Sequence, residues 1–118
     1  MLAVIIAGVA TAFAANLEVS PSNLGQASLA VTANDLKPAA CSALYLTNII
    51  SGSGTLTGSS GNDLIVGASG ADLIDGVGGD DCILAGEGDD TITGGDGNDI
   101  CLGGPGTDTF STCEGEGQ

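Results

Sequence analysis

The 118-residue sequence contains no histidine, arginine or tryptophan, and Lys37 is its only basic residue. Fifteen acidic residues give a net charge of −14 at pH 7. Nothing in this chain can neutralise a phosphate backbone, so nucleic acid is excluded as a partner and cations are favoured. A serine or cysteine nucleophile would have no evident base. We therefore predict no enzymatic activity, no catalytic residue and no small-molecule substrate.

Aromatic residues are also scarce, at 3% of the chain. A chain of this length has room for one small domain plus a tail, and so few large side chains cannot fill a sizeable conventional core. The domain therefore needs a further source of stability.

Residues 1–15, MLAVIIAGVATAFAA, form an apolar run predicted to be a short helix. The run is short for a membrane-spanning helix and lacks a basic flank. Two interpretations stay open: a secretory signal peptide that ends in an A-x-A cleavage motif, or a retained segment that packs against copies of itself in a filament. A membrane anchor is a third, less favoured interpretation. The first two both predict an exported protein.

Glycine and aspartate, by contrast, recur every nine residues from Gly58 onward, in six copies without insertion over residues 58–111. The fourth residue of every copy is glycine: Gly61, Gly70, Gly79, Gly88, Gly97 and Gly106. The sixth is aspartate: Asp63, Asp72, Asp81, Asp90, Asp99 and Asp108. The eighth is Ile65, Ile74, Ile83, Ile92, Cys101 and Phe110.

Each nonapeptide predicts one glycine-rich turn and one short strand whose eighth residue points inward. Two copies make a coil of eighteen residues, and successive coils stack in parallel about 4.8 Å apart. The fold class is therefore all-β, a parallel β-roll. Leu56 lies nine residues before Ile65, which favours a degenerate first coil over a flexible Gly/Ser linker at the end of residues 16–57.

Stacking places the aspartates of alternate copies above one another, in two rows on opposite edges of the roll. Carboxylates stacked so closely repel each other unless a counter-charge lies between them. A hard divalent cation resolves this conflict, because it binds carboxylate and backbone carbonyl oxygens together, and Ca²⁺ tolerates a carbonyl-rich site better than Mg²⁺. Several Ca²⁺ ions are the predicted cofactor.

The six copies resemble the G-G-x-G-x-D-x-U-x nonapeptide of RTX proteins, a calcium-binding β-roll family. The resemblance covers residues 58–111 and implies Ca²⁺ held between successive turns by the six aspartates and by carbonyls of the glycine turns. Four departures occur at the first two positions, and they predict weaker binding in the early turns: Ser59, Ala68, Val77 and Ala85.

The two sheets of this roll are predicted to differ on their outer faces. Copies one, three and five place apolar side chains outward, and their sheet is predicted to be buried on both sides. The cover is either the chain's own residues 17–50 or a neighbouring subunit. The residues predicted to serve assembly are Leu64, Val66, Leu84, Ile100 and Leu102.

Four cysteines in a short chain indicate an oxidising compartment. They allow three pairings, and their predicted placement favours Cys41 with Cys82 and Cys101 with Cys113. Buried free thiols are the alternative. Residues 112–118 are predicted to close the end of the roll as a C-terminal cap or tail.

These features predict a secreted, calcium-binding β-roll found outside the cell or at its surface. Two functions stay open. One is a structural subunit of a pilus-like filament or surface layer that self-associates through its apolar N-terminus. The other is a soluble module that folds on export and does not assemble.

Overall fold

A computed structural model describes residues 30–118 of the chain. The predicted apolar helix over residues 1–15 and the first third of the 16–57 segment, residues 16–29, lie outside the described residues. No helix in the described part of the chain is long and apolar enough to cross a membrane.

Nearly all of the regular structure consists of short strands. Two brief helical elements come first, α1 (Ala33–Leu36) and a 3-10 turn (Ala39–Cys41). The strands are β1 (Asn48–Ser51), β2 (Thr55–Thr57), β3 (Asp63–Val66), β4 (Leu73–Asp75), β5 (Cys82–Leu84), β6 (Thr91–Thr93), β7 (Ile100–Leu102), β8 (Thr109–Ser111) and β9 (Gly115–Gly117).

The strands alternate between two parallel sheets, in the orders β1-β3-β5-β7-β9 and β2-β4-β6-β8. Equivalent residues of consecutive coils pair with one another, as Ile65 does with Ile83 and Ile74 with Ile92. The predicted parallel β-roll is confirmed, with about four two-strand coils. The roll also begins earlier than the six clear copies, because β1 pairs with β3 and β2 pairs with β4.

A single column of apolar side chains fills the space between the sheets. It consists of the eighth residues of the copies together with Leu56 and Ala85. The buried members are Leu56, Ile65, Ile74, Ile83, Ala85, Ile92 and Cys101. Packed against them are the partly buried Ile50, Phe110 and Cys113. The prediction that the eighth residue points inward is therefore correct. Leu56 occupies the place that its nine-residue spacing from Ile65 predicts.

The first sheet, called here the covered sheet, lies beneath residues 33–46 of the same chain. Ala33, Cys41, Leu44 and Leu46 form a second apolar cluster with Leu64 and Cys82. The cluster is joined by Val66, Leu84 and Ile100. Four of the five residues predicted to serve assembly thus pack within the chain: Leu64 is buried, and Val66, Leu84 and Ile100 are partly buried. Their role in assembly stays a prediction.

Polar contacts within this covering segment fix its shape. The Asn34 side chain donates to the Leu46 carbonyl at 2.7 Å and accepts a hydrogen bond from the Leu46 N–H at 2.9 Å. The side-chain amide thus pairs with Leu46 in the way that a backbone amide of a neighbouring strand does. Lys37 donates its Nζ protons to the carbonyls of Ser42 and Leu44. The chain's only cationic side chain is therefore used to close a loop.

The second sheet, called here the open sheet, alternates buried and exposed residues along β2, β4 and β6. Its outer side chains are mostly hydroxyls, such as those of Thr91 and Thr109, whose oxygens are 3.3 Å apart. This alternation is expected of a sheet with one solvated face.

Two disulfides tie the roll to its flanking segments. Cys41 of the covering segment bonds Cys82 of β5, and Cys101 of β7 bonds Cys113. These are the pairs that the sequence favoured. The C-terminal residues are more than a tail, because β9 adds a fifth strand to the covered sheet beside β7.

Candidate metal centres

The sixth-position aspartates lie at the turns, each one immediately before or at the start of its strand. Five of them are almost fully buried although each carries a carboxylate: Asp63, Asp72, Asp81, Asp90 and Asp99. Asp108, in the last copy, is partly buried. An ionised carboxylate is costly to bury unless hydrogen bonds or a cation compensate its charge. The partners of these carboxylates therefore decide what the turns can do.

From Asp72 onward, one oxygen of each carboxylate is satisfied by a backbone N–H of the preceding coil. The N–H of Asp63 donates to Oδ1 of Asp81, and the N–H of Asp81 donates to Oδ1 of Asp99, both at 2.8 Å. On the other edge the N–H groups of Asp72 and Asp90 donate to Asp90 and Asp108 at 2.8 and 3.0 Å. The two predicted rows of aspartates thus exist as hydrogen-bonded ladders.

The second oxygen is left without a partner in the three middle turns. Among residues 30–118, the Oδ2 atoms of Asp81, Asp90 and Asp99 are buried and receive no hydrogen bond. A buried acceptor without a donor costs on the order of 1–3 kcal/mol, and more when it is charged. These three atoms are therefore the places where the turns need a cation.

A backbone carbonyl lies beside the free oxygens of Asp81 and Asp99, and a first-position glycine leaves the space for it. The corresponding residue of the Asp90 turn is Ala85. A Cβ built on Gly76 would collide with both Oδ2 of Asp81 and the carbonyl oxygen of Gly94. On Gly94 it would collide with Oδ2 of Asp99 and the carbonyl oxygen of Thr112. The first-position residues thus bring a carboxylate and a carbonyl oxygen together.

The predicted site includes the fourth-position glycines but not the first-position glycines, which make the space described above. The signal was present, because glycine opens five of the six copies. The fourth-position glycines lie at turns whose backbones stack closely, as where the Gly79 carbonyl meets Gly97, which has a φ of 132°. That these glycines supply carbonyl ligands stays a prediction.

Burial without a counter-charge perturbs two of the carboxyl groups. Desolvation raises the pKa of Asp81 from 3.8 to about 7, and the nearby charges of Asp99, Asp63 and Asp80 add to the effect. Desolvation also raises the pKa of Asp99, with a contribution from Glu114. A bound divalent cation would favour the charged form of both groups and lower these pKa values.

The atoms available to bind a metal ion in these turns fit calcium. They are oxygen atoms only, because the chain has no histidine and its four cysteines form disulfides. Nowhere in residues 30–118 do three acidic or thiol side chains converge on one point. A bound ion would thus need backbone carbonyls besides the carboxylates. Ca²⁺ accepts such mixed, irregular oxygen shells, whereas Mg²⁺ demands a near-ideal octahedron.

The first two turns differ from the middle ones, because protein donors reach both oxygens of their carboxylates. Asp63 accepts hydrogen bonds from the Asn48 amide at 2.7 Å and from the Ser59 N–H at 2.6 Å. Asp72 accepts the N–H groups of Gly54 and Ala68. Two of these four donor residues, Ser59 and Ala68, stand out in the sequence because they replace a second-position glycine. The other two, Asn48 and Gly54, lie before the six copies.

The last turns are closed by C-terminal residues. Glu114 replaces the next aspartate of the ladder and accepts the Asp99 N–H at 2.8 Å. With the Gln118 side-chain amide oriented so that its nitrogen faces Asp108, that nitrogen can donate to Oδ2 of Asp108 at 3.2 Å. Sequence reasoning missed Glu114, because it follows Asp99 by fifteen residues and not by eighteen.

A family profile described as the RTX calcium-binding nonapeptide repeat matches residues 50–83 and 75–110. Together the two matches span slightly more than half of the chain, which belongs to this family of calcium-binding repeat proteins. Its repeats and its roll make it a calcium-binding β-roll protein. No curated protein and no solved structure gives a significant match.

Proposed function

We propose that this protein is an extracellular calcium-binding β-roll with a structural, non-catalytic role. The observation that carries the proposal is the set of three buried carboxylate oxygens without a donor, at Asp81, Asp90 and Asp99. Each lies in a turn that stacks on an equivalent turn. An ion bound there offsets the cost of burying the carboxylate, so calcium binding and folding of the roll are coupled.

The two disulfides support export. Cys41–Cys82 and Cys101–Cys113 persist in oxidising surroundings and not in a reducing cytosol. Compartments outside the cell also supply more calcium than the cytosol does. A roll that needs both conditions would complete its folding after leaving the cell.

Two observations support a non-catalytic role. Lys37, the only basic side chain of the sequence, is held by carbonyls of the covering segment and makes no ion pair with an acidic group among residues 30–118. The buried aspartates are accounted for by ladder hydrogen bonds and by their need for a cation.

For the structural role, the preferred form is a subunit that assembles through its apolar N-terminus. Residues 1–15 carry no charge and would promote aggregation in water if left exposed. Packed side by side in a filament or surface layer, they would be buried while the acidic rolls project outward. Charge repulsion between rolls would keep such a polymer soluble.

One observation favours the second candidate, a soluble calcium-binding module. Residues 33–46 already bury the apolar face of the covered sheet, so the roll itself offers no broad apolar surface for assembly. Six large apolar side chains of residues 30–118 are exposed: Val31, Leu36, Tyr45, Ile49, Leu73 and Val77. If residues 1–15 are removed on export, the remaining chain fits a monomer.

Calcium titration of the oxidised full chain tests the proposed binding. Circular dichroism should show strand signal gained on adding Ca²⁺ and lost in a chelator, and the melting temperature should rise with it. At a hundredfold excess over Kd, each site should add about 2.7 kcal/mol to the free energy of unfolding. Mg²⁺ at the same concentration is the control. Identical spectra and melting temperatures with Ca²⁺ and with the chelator would refute calcium-dependent folding.

Mass spectrometry and electron microscopy separate the two candidates. A secreted chain that retains residues 1–15, and forms filaments that disappear when this segment is deleted, supports assembly. A chain that begins near Ala15, or monodisperse particles from protein that still carries Met1, supports the soluble module.

A further inference from the structure

We propose that the first two turns of the roll, those of Asp63 and Asp72, are closed against calcium. They form a calcium-independent template on which the turns of Asp81, Asp90 and Asp99 become ordered when three ions bind. The inference rests on the proposed calcium binding and adds where the ions go. The family resemblance alone would place calcium at all six aspartates.

The Asp63 carboxylate is saturated by protein donors. Its Oδ2 accepts the Ser59 N–H at 2.6 Å, and the Ser59 hydroxyl lies 3.0 Å from both carboxylate oxygens. Its Oδ1 also accepts the Asn48 amide at 2.7 Å. These neutral groups take the positions around the carboxylate that cation ligation requires. An ion here would have to displace three hydrogen bonds.

Asp72 is closed in the same manner on the opposite edge. The Ala68 N–H donates to Oδ2 at 3.0 Å, and the Gly54 N–H donates to Oδ1. The equivalent Oδ2 atom of Asp90, one coil later on that edge, has no donor among the described residues. The change from closed to open therefore occurs between consecutive coils on both edges.

Backbone conformation at the second position of each copy explains this difference. Ser59 and Ala68 have negative φ, and their N–H groups point to the carboxylate of their own turn. Val77, Gly86 and Gly95 have φ values of 79°, 112° and 107°. Their N–H groups donate elsewhere: to Asp75, to the Gly103 carbonyl and to the Thr112 hydroxyl. The left-handed conformation thus withdraws a donor and leaves Oδ2 free for a cation.

The template also has means of holding together without metal. Leu44 and Leu46 of the covering segment share one apolar cluster with Leu64 of β3. The Cys41–Cys82 disulfide links this segment to β5, the first strand added to the template. The next strand of each sheet can pair with the edge that β3 and β4 provide. Forming the first strand pairs is the costly step in building a parallel sheet. With that edge already formed, calcium binding has to drive only the addition of further strands.

Counting bound ions tests the placement. Native mass spectrometry of the oxidised full chain, titrated with Ca²⁺ alone, should show three ions at saturation. Asp81→Asn, Asp90→Asn and Asp99→Asn should each lose one ion, whereas Asp63→Asn and Asp72→Asn should retain three. More than three ions, or loss of an ion in Asp63→Asn or Asp72→Asn, would overturn the inference while leaving the proposed function intact. Absence of any bound calcium would overturn both.

Hydrogen exchange of the unmodified chain tests the template without any variant. In a chelator, amides of β3 and β4 should keep at least tenfold more protection than those of β6 and β8. Added Ca²⁺ should raise protection chiefly in the later strands. A uniform loss of protection along the roll in the chelator would show that no calcium-independent template exists.

Discussion

The covered and open sheets share one core but differ on their outer faces. Ile65 and Ile74 occupy equivalent inner positions of β3 and β4, and both are fully buried. One residue earlier, Leu64 is 1% exposed beneath the covering segment, whereas Leu73 is 52% exposed on the open sheet. The repeat therefore specifies the inside of the roll and leaves the outside of each sheet free. In this chain one outer face anchors a non-repetitive segment.

Truncating this matched pair of leucines should give the largest difference. Leu64→Ala removes a buried side chain and leaves a cavity, so it should lower the free energy of unfolding by about 3 kcal/mol. Leu73→Ala should change it by less than about 0.5 kcal/mol. Urea unfolding of both variants in saturating Ca²⁺ measures the two values. Equal losses would mean that residues 33–46 do not cover the sheet in solution.

Removing the disulfide that anchors the cover should have the next largest effect. The Cys41→Ser, Cys82→Ser double variant opens a link across 41 residues of sequence and should cost about 2–4 kcal/mol. The matched variant, Cys101→Ser with Cys113→Ser, opens a link across 12 residues and should cost about 1 kcal/mol less. The comparison is made by thermal or urea unfolding in Ca²⁺. A larger loss from the shorter link would indicate that the end of the roll depends on closure more than the cover does.

Most of the roll could be predicted from the sequence, because its repeat is strict. Nine-residue spacing assigns each strand to a sheet and each eighth residue to the core, and the apolar outer residues of alternate copies indicate the cover. The placement of Cys41 and Cys82 follows from the same periodicity. These conclusions depend only on which residue faces which side.

The ends of the ladders could not be predicted, because they depend on where single donors point. Val77 and Ala68 both replace a second-position glycine, yet only Val77 adopts a positive φ. Asn48 and Glu114 enter the ladders from outside the repeat, at separations of fifteen residues. The sign of φ at one residue and the register of a single hydrogen-bonding group depend on contacts in three dimensions. Such contacts leave no repeating pattern in the sequence.

The pH dependence of the calcium-free protein offers a smaller test of the same contrast. The two carboxyl groups with raised pKa values, Asp81 and Asp99, both precede strands of the covered sheet. Between pH 3.8 and about 7 the folded state holds a proton on Asp81 that the unfolded state releases. The contribution to stability is therefore present at low pH and is lost as pH rises toward 7.

In a chelator, the melting temperature should thus be higher at pH 5 than at pH 8, and Asp81→Asn should remove much of this difference. In saturating Ca²⁺ the trend should reverse, since protons compete with the ion for the carboxylates. A melting temperature independent of pH in the chelator would indicate that Asp81 is ionised and compensated by other groups.

The smallest effect is expected at the second position of the turns. Val77 leads into β5 of the covered sheet with a φ of 79°, a conformation that costs a β-branched residue about 1–3 kcal/mol. Val77→Gly should remove this strain but add about 0.4–1 kcal/mol of chain entropy to the unfolded state. The net gain should be about 1 kcal/mol.

Ala68→Gly, in the turn that leads into β4 of the open sheet, relieves no strain and should cost roughly 0.5–1 kcal/mol. Opposite signs in urea unfolding would show that the left-handed turn begins at the third copy, whereas two losses of similar size would show that Val77 is not strained in solution.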